Sequence, residues 1–207
     1  MPSANLVIAL ARAPVAARMD LRLAGRVDEA RSHEPRRADA IAALGRSPRS
    51  YELVVAFSPP HEAAAVHQWL RGADRYEPQP LTDDPGRVIA SAMDHAFRRG
   101  AERVVIVGMG DDDRLVTRDQ VEDALQWIEQ VDCVLGPVDG GAFRLLGSRV
   151  PLHWLRELPW ADGDAVLSAM REELVAADMS WCEIDGTAVR VGDLQNDGVS
   201  PRPAAPA

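Results

Sequence analysis

The 207-residue chain carries 23 basic and 32 acidic side chains, a formal net charge of −9. A chain this long fits one domain, and a globule of that size removes roughly 70% of its unfolded surface from water, so it needs no disulfide or metal staple. The acidic balance excludes a protein that coats nucleic acid, and no apolar run approaches the roughly 20 residues of a membrane span. Cys133 and Cys182 are too few for a disulfide scaffold and lack metal-ligand spacing. With no secretory pattern at the N-terminus, the expected compartment is the cytoplasm. Every basic side chain is Arg. Any contact to phosphate therefore falls to a guanidinium fork or a backbone amide.

Residues 6–10 (LVIAL) form an apolar run of the kind a buried strand shows. Residues 11–27 follow, with Arg12, Arg18, Arg22 and Arg26 and little regular pattern. Residues 28–45 fit a helix that Pro35 either breaks or begins. ELVVAF (52–57) reads as a second strand closed by Ser58-Pro59-Pro60, and 61–71 as a helix stopped by Gly72. Residues 76–86 are polar and proline-rich. Thr82-Asp83-Asp84-Pro85 marks a helix start, and that helix runs to about Arg99, where Gly100 ends it. VVIV (104–107) is the clearest strand, followed by the acidic turn 108–113. Thr117 caps a helix to about Gln130, with Val121, Leu125 and Ile128 at helical spacing.

Residues 133–135 form a strand leading into the glycine-bearing turn 136–141, and 143–146 a further strand. Residues 152–158 and 164–177 read as helices, and 181–184 and 188–191 as short strands. Residues 199–207, with three prolines, are expected to be disordered, leaving 1–198 as a single domain. Strands alternating with helices imply an α/β fold: a mostly parallel central sheet flanked by helices. In such sheets ligands bind beyond the carboxyl ends of the strands. Segments 11–26, 108–113 and 136–141 each follow a strand directly and are expected there.

Asp111, Asp112 and Asp113 offer hard oxygen donors to a divalent cation; the alternative is a solvated acidic loop capping the next helix. Gly108 and Gly110 permit a tight turn. Gly140 and Gly141, after Asp139, permit either close approach of backbone to a ligand or a plain bulge. Arg12, Arg18 and Arg22 suit a diphosphate, with scattered surface arginines as the alternative. The five histidines form no zinc-binding pair, no serine sits in a nucleophile elbow, and neither cysteine is flanked by a base. Trp69, Trp127 and Trp154 fall in helical patterns and read as core. Trp160, after Pro159, is the tryptophan placed to line a pocket.

Together these segments resemble a family of small bacterial proteins with a glycosyltransferase-A-like, nucleotide-diphospho-sugar transferase fold, of the radical-SAM/selenodomain-associated transferase type. The residues that carry the resemblance are Ala11-Arg12-Ala13-Pro14 with Arg18 and Arg22, Glu52-Leu53-Val54-Val55 to Pro59-Pro60, and Gly86-Arg87-Val88 with Ala96-Phe97 and Gly100. Val104 to Leu115, Gly136-Pro137-Val138-Asp139-Gly140-Gly141 through Gly147, Pro159-Trp160 and Val166-Leu167 complete it. The departures are specific. The family's diphosphate lysine is Asp20 here, the glycine before Arg18 is Ala17, and the acidic residue before Asp139 is Val138. The late carboxylate cluster survives only as Asp193.

The resemblance implies a metal-assisted transfer from a nucleotide-diphospho-sugar. Arg12, Ala13, Pro14, Arg18, Arg22 and Arg87 would bind the nucleotide, and Asp111 and Asp113 would hold Mg or Mn. Asp139 would be the catalytic carboxylate, and Gly140, Gly141 and Trp160 would shape the donor and acceptor pocket. A nucleotidyltransferase on the same fold is a close variant. The competing expectation is a catalytically degenerate member that keeps the fold and acts as a binding or partner subunit, which Asp20 and the lost late cluster favour. The expected partners are a nucleotide-sugar or nucleotide, with no nucleic acid or membrane, and homodimerisation is left open.

Overall fold

Along β1 (Asn5–Arg12) the side chains alternate between two cores: Val7, Ala9 and Ala11 enter one, Leu6 and Ile8 the other. That two-sided burial is what a central strand of a covered sheet requires. The computed structural model describes residues 4–14, 19, 27–108, 115–138, 143–160, 162–185 and 188–191. The strands are β1, β2 (Glu52–Ser58), β3 (Arg75–Pro78), β4 (Arg103–Gly108), β5 (Cys133–Pro137), β6 (Phe143–Ser148), β7 (Trp181–Asp185) and β8 (Ala188–Val191). They form one sheet in the order β3-β2-β1-β4-β6-β5-β7-β8. β1 pairs in parallel with both β2 and β4, β2 with β3, and β5 with β7. β6 is antiparallel to both its neighbours, which leaves β5 parallel to β4, and β8 is antiparallel to β7. The expected mostly parallel α/β fold is therefore present, with β6 and β8 reversed.

Helices α1 (Val27–Leu44), α2 (Ala63–Trp69) and α4 (Arg118–Trp127) cover one face, through Ile41, Leu44, Val66, Val121 and Leu125. On the other face lie α3 (Pro85–Arg98) and α5 (Gly163–Ala176), through Ile89, Met93, Val166 and Met170, with the 3-10 turn His153–Arg156. No described helix is long and apolar enough to cross a membrane.

Several expectations need adjusting. Pro35 neither breaks nor begins α1 but lies inside it, where the Trp69 indole donates to the Glu34 carbonyl at 2.9 Å and ties α1 to α2. The helix expected over 61–71 is a 3-10 turn, Pro60–Glu62, followed by α2. Residues 152–158, bracketed by Pro151 and Pro159, give only a 3-10 turn in place of a helix. The edge strand β3, running from Arg75 into the polar segment 76–86, is absent from the sequence reading because Arg75-Tyr76-Glu77-Pro78 holds only one apolar-bodied side chain, Tyr76. Backbone pairing holds it: Asp74 N–H donates to the Leu53 carbonyl at 2.9 Å and Gln79 N–H to the Phe57 carbonyl at 2.8 Å.

The caps follow the sequence closely. Asp84 accepts from the Arg87 N–H at 3.2 Å, and Thr117 and Gln120 form a reciprocal capping box on α4. Gly72 and Gly100 both have positive φ, 104° and 93°, where an L side chain is strained.

Candidate functional site

β1 has β2 on one side and β4 on the other, and the chain reaches β4 only after crossing back over β1 by way of α3. The order of strands thus reverses at β1 and β4, and a crevice opens at the carboxyl end of such a switch point. Register places the strand ends together: Leu10 lies opposite Gly108, Arg12 opposite Ser58, and Pro137 opposite Phe143.

Arg12 is exposed at the end of β1, while Ala13 and Pro14 behind it are buried. Ala13 N–H donates to the Ser58 carbonyl at 2.7 Å, extending the β1–β2 ladder past the strand. The Gln79 amide donates to the Ala56 carbonyl at 2.6 Å and the Ala11 carbonyl at 3.4 Å, clamping the two strand ends. Gln79 was missed from sequence; its position between Pro78 and Pro80 was the available signal.

Gly108 is the last residue of β4. Among the described residues a Cβ there would find only the Arg144 carbonyl oxygen, at 3.8 Å. Gly136 differs, since a Cβ there would lie 2.8 Å from the Leu145 Cβ. The register shift at Gly136/Pro137 bends β5 as it leaves the sheet, a device common beside binding sites.

Trp160 packs between α3 and the start of β6. Its indole N–H donates to the Leu155 carbonyl at 2.7 Å, and its ring meets Phe143 edge-on at 5.8 Å. Gly86, in the first turn of α3, allows that approach, because a Cβ there would lie 2.1 Å from the Leu155 oxygen and 2.2 Å from the Trp160 Nε1. The polar atom of Trp160 is therefore spent on the protein, and the ring supplies an apolar surface at the start of β6. Arg87 is exposed, paired with Asp84 at 3.4 Å, and faces a shallow groove of about 570 Å³ that it shares with Arg156 and Leu81.

Arg18, Arg22, Asp111, Asp113, Asp139, Gly140 and Gly141 lie outside the described residues. Their anchors are described: Gly108 and Leu115 bracket 109–114, and Val138 and Phe143 bracket 139–142. Among the described residues no group of three His, Cys, Asp or Glu side chains is placed to hold a metal.

The perturbed groups elsewhere are structural. Burial pushes the Cys182 thiol up to about 12, and burial likewise raises Cys133, so neither supplies a thiolate at neutral pH. Burial raises Asp132, but hydrogen bonds from Ser180 and the Arg149 guanidinium outweigh it and hold the carboxyl below its usual range. Asp132 precedes β5 and so lies at the opposite edge of the sheet from the crevice.

Residues 41–162, more than half the chain, match a family described as "Uncharacterized protein conserved in bacteria (DUF2064)". The chain belongs to this family. Within DUF2064 the matched region holds Gly86, Gly108, Pro137 and Trp160, and leaves out β1 with Arg12. The fold is shared with a proposed nucleotide-diphospho-sugar transferase of Desulfovibrio desulfuricans G20, at 21% identity over 88% of this chain and 80% of that one, with a TM-score of 0.73. The expected nucleotide-diphospho-sugar transferase-like fold is thus confirmed. More distant are Rv0371c of Mycobacterium tuberculosis H37Rv (14% identity, 89% of each chain, TM-score 0.46) and a proposed glucose-1-phosphate thymidylyltransferase of Bacillus anthracis in complex with a sucrose (12%, 87% of each, 0.48). No curated protein matches this DUF2064 chain in sequence.

Proposed function

We propose that the chain binds a nucleotide-diphospho-sugar in the crevice at the carboxyl ends of β1 and β4 and transfers its sugar to an acceptor. The observation that carries this reading is the switch point itself, with Arg12 exposed at the end of β1 and Gly108 ending the neighbouring β4. The shared fold with the Desulfovibrio protein supports it.

Arg12, with Arg18 and Arg22, pairs with the diphosphate, since guanidinium forks match its oxygens and no lysine exists to do so. Asp139 accepts the proton of the acceptor hydroxyl. The acceptor oxygen then bonds to the anomeric carbon, and the bond from that carbon to the diphosphate oxygen breaks, its electron pair leaving with the nucleoside diphosphate. Gly140 and Gly141 bring no side chain to compete with the acceptor at Asp139, and Trp160 gives the sugar an apolar surface. Asp111 and Asp113 would hold Mg or Mn, for which carboxylates are the matching hard oxygen donors, and that cation would neutralise charge on the leaving diphosphate.

Asp20 favours a second reading, in which the chain binds without turnover. A carboxylate where the family has a lysine repels phosphate by about 1–4 kcal/mol at 4 Å, depending on the effective dielectric. Calorimetric titration with UDP- and GDP-sugars plus Mn²⁺ separates the readings, alongside assays for released nucleoside diphosphate and pyrophosphate. Binding with nucleoside diphosphate release supports the transferase. Pyrophosphate release points to a nucleotidyltransferase, and binding alone to the degenerate member. Asp20→Lys is expected to tighten binding by about ten- to a hundred-fold, an effect that high salt diminishes.

A further inference from the structure

A groove of about 480 Å³ runs beside α3 across the face of the sheet, from Arg75 and Arg99 to Gln79 and Pro80 just past the carboxyl end of β3. Its floor is the sheet surface. Leu6, Ile8 and Ala56 keep 4–6% of their surface exposed, whereas Val7, Ala9 and Val55, on the opposite face, keep none. α3 therefore leaves the β1–β3 side of this face partly uncovered. One wall is the helix stripe of Val88, Ala92 and Ala96. The other is β3, where Arg75 and Glu77 point to this side while Tyr76 packs in the opposite core.

Charge is unevenly distributed. Arg75, Arg98 and Arg99 line the groove against one carboxylate, Glu77, in a protein of net charge −9. Glu77 pairs with Arg75 at 3.1 Å and Arg99 at 3.5 Å, and approaches His95 at 3.7 Å; Glu52, outside the groove, takes a second side of Arg75. Arg98 makes no ion pair among the described residues. The arginines stand at the end of α3 and the start of β3, so the cationic groups gather at one end of an apolar trough. The volume is that of an ordinary small-molecule site.

We propose that this groove is a second binding site, for a small organic anion with an apolar body: the chain lies on Leu6, Ile8 and Ala92, and the head group meets Arg98 and Arg99. This inference does not rest on the transferase reading. Decanoate is the probe, titrated calorimetrically into the full chain, with decylammonium as the charge-reversed control. The expected result is saturable one-to-one binding of decanoate, at least ten-fold tighter than decylammonium and unchanged by saturating UDP-sugar with Mn²⁺. Ala92→Phe, which fills the trough, should abolish it. Arg98→Glu/Arg99→Glu, on exposed side chains that leave the core untouched, should weaken it at least ten-fold with the far-ultraviolet dichroism unchanged. Absence of saturable binding in the native chain, equal affinity for decylammonium, indifference to the arginine variant, or displacement by the nucleotide-sugar would each overturn the proposal.

Discussion

Gly86→Ala tests the packing of Trp160 against α3, because two effects of opposite sign compete there. Adding a methyl to a helical glycine removes unfolded-chain entropy and alone would stabilise by about 0.5–1 kcal/mol. At Gly86 that methyl would stand 2.1 Å from the Leu155 carbonyl oxygen and 2.2 Å from the Trp160 Nε1, the two atoms that share a 2.7 Å hydrogen bond. One of them is backbone, so a rotamer change cannot relieve the clash. Overpacking costs about 1–3 kcal/mol and a lost hydrogen bond about 0.5–1.5 kcal/mol. The net expectation is destabilisation of about 0.5–4 kcal/mol, a fall in Tm of about 1–16 °C for a chain this long. Urea unfolding followed by tryptophan fluorescence reads it, and the same substitution in a Trp160→Leu background should cost less, because one of the two clashes is gone. A Gly86→Ala protein as stable as the native chain would refute the packing of Trp160 between α3 and β6.

Gly108→Ala is expected to leave stability within about 0.5 kcal/mol, since among the described residues its Cβ meets only the Arg144 oxygen at 3.8 Å, yet to weaken nucleotide-sugar binding measurably by calorimetry. Equal binding would remove the ligand from the end of β4. Asp132→Asn should cost about 1–3 kcal/mol at pH 7, where the carboxylate accepts Ser180 N–H at 2.9 Å, Ser180 Oγ at 2.6 Å and Arg149 Nε at 2.7 Å. Because folding lowers this pKa, its contribution is full above the unfolded value of about 3.9 and is lost as pH falls through the folded one. The gap between the native and variant proteins in urea should therefore narrow at pH 3, and a gap unchanged with pH contradicts the assignment. Cys133 and Cys182, both buried, should resist a thiol reagent at pH 8 and both react in denaturant. Reaction of either in the native protein would show that the sheet around β5 and β7 opens.

The central strands were legible in the chain because each is buried on both faces and must be apolar throughout: LVIAL, ELVVAF, VVIV and CVL became β1, β2, β4 and β5. The caps were legible for a local reason, since Asp84, Thr117, Gly72 and Gly100 act on backbone within a few residues of themselves. What the sequence could not determine rests on partners distant along the chain. β3 is a strand because β2 offers it a free edge, not because Arg75-Tyr76-Glu77-Pro78 prefers to be extended. Pro35 is tolerated inside α1, whose indole tie comes from Trp69, 35 residues away. The order of strands was decided by tertiary packing, and it is the order, reversing at β1, that sets two unremarkable strand ends, Arg12 and Gly108, at the switch point. The same packing fixed the role of Trp160, whose polar atom could have faced a ligand but is taken by a backbone carbonyl five residues earlier, because Gly86 lets the ring approach α3. Local chemistry specifies which segments extend, coil or stop; the burial of one segment against another decides which of them meet.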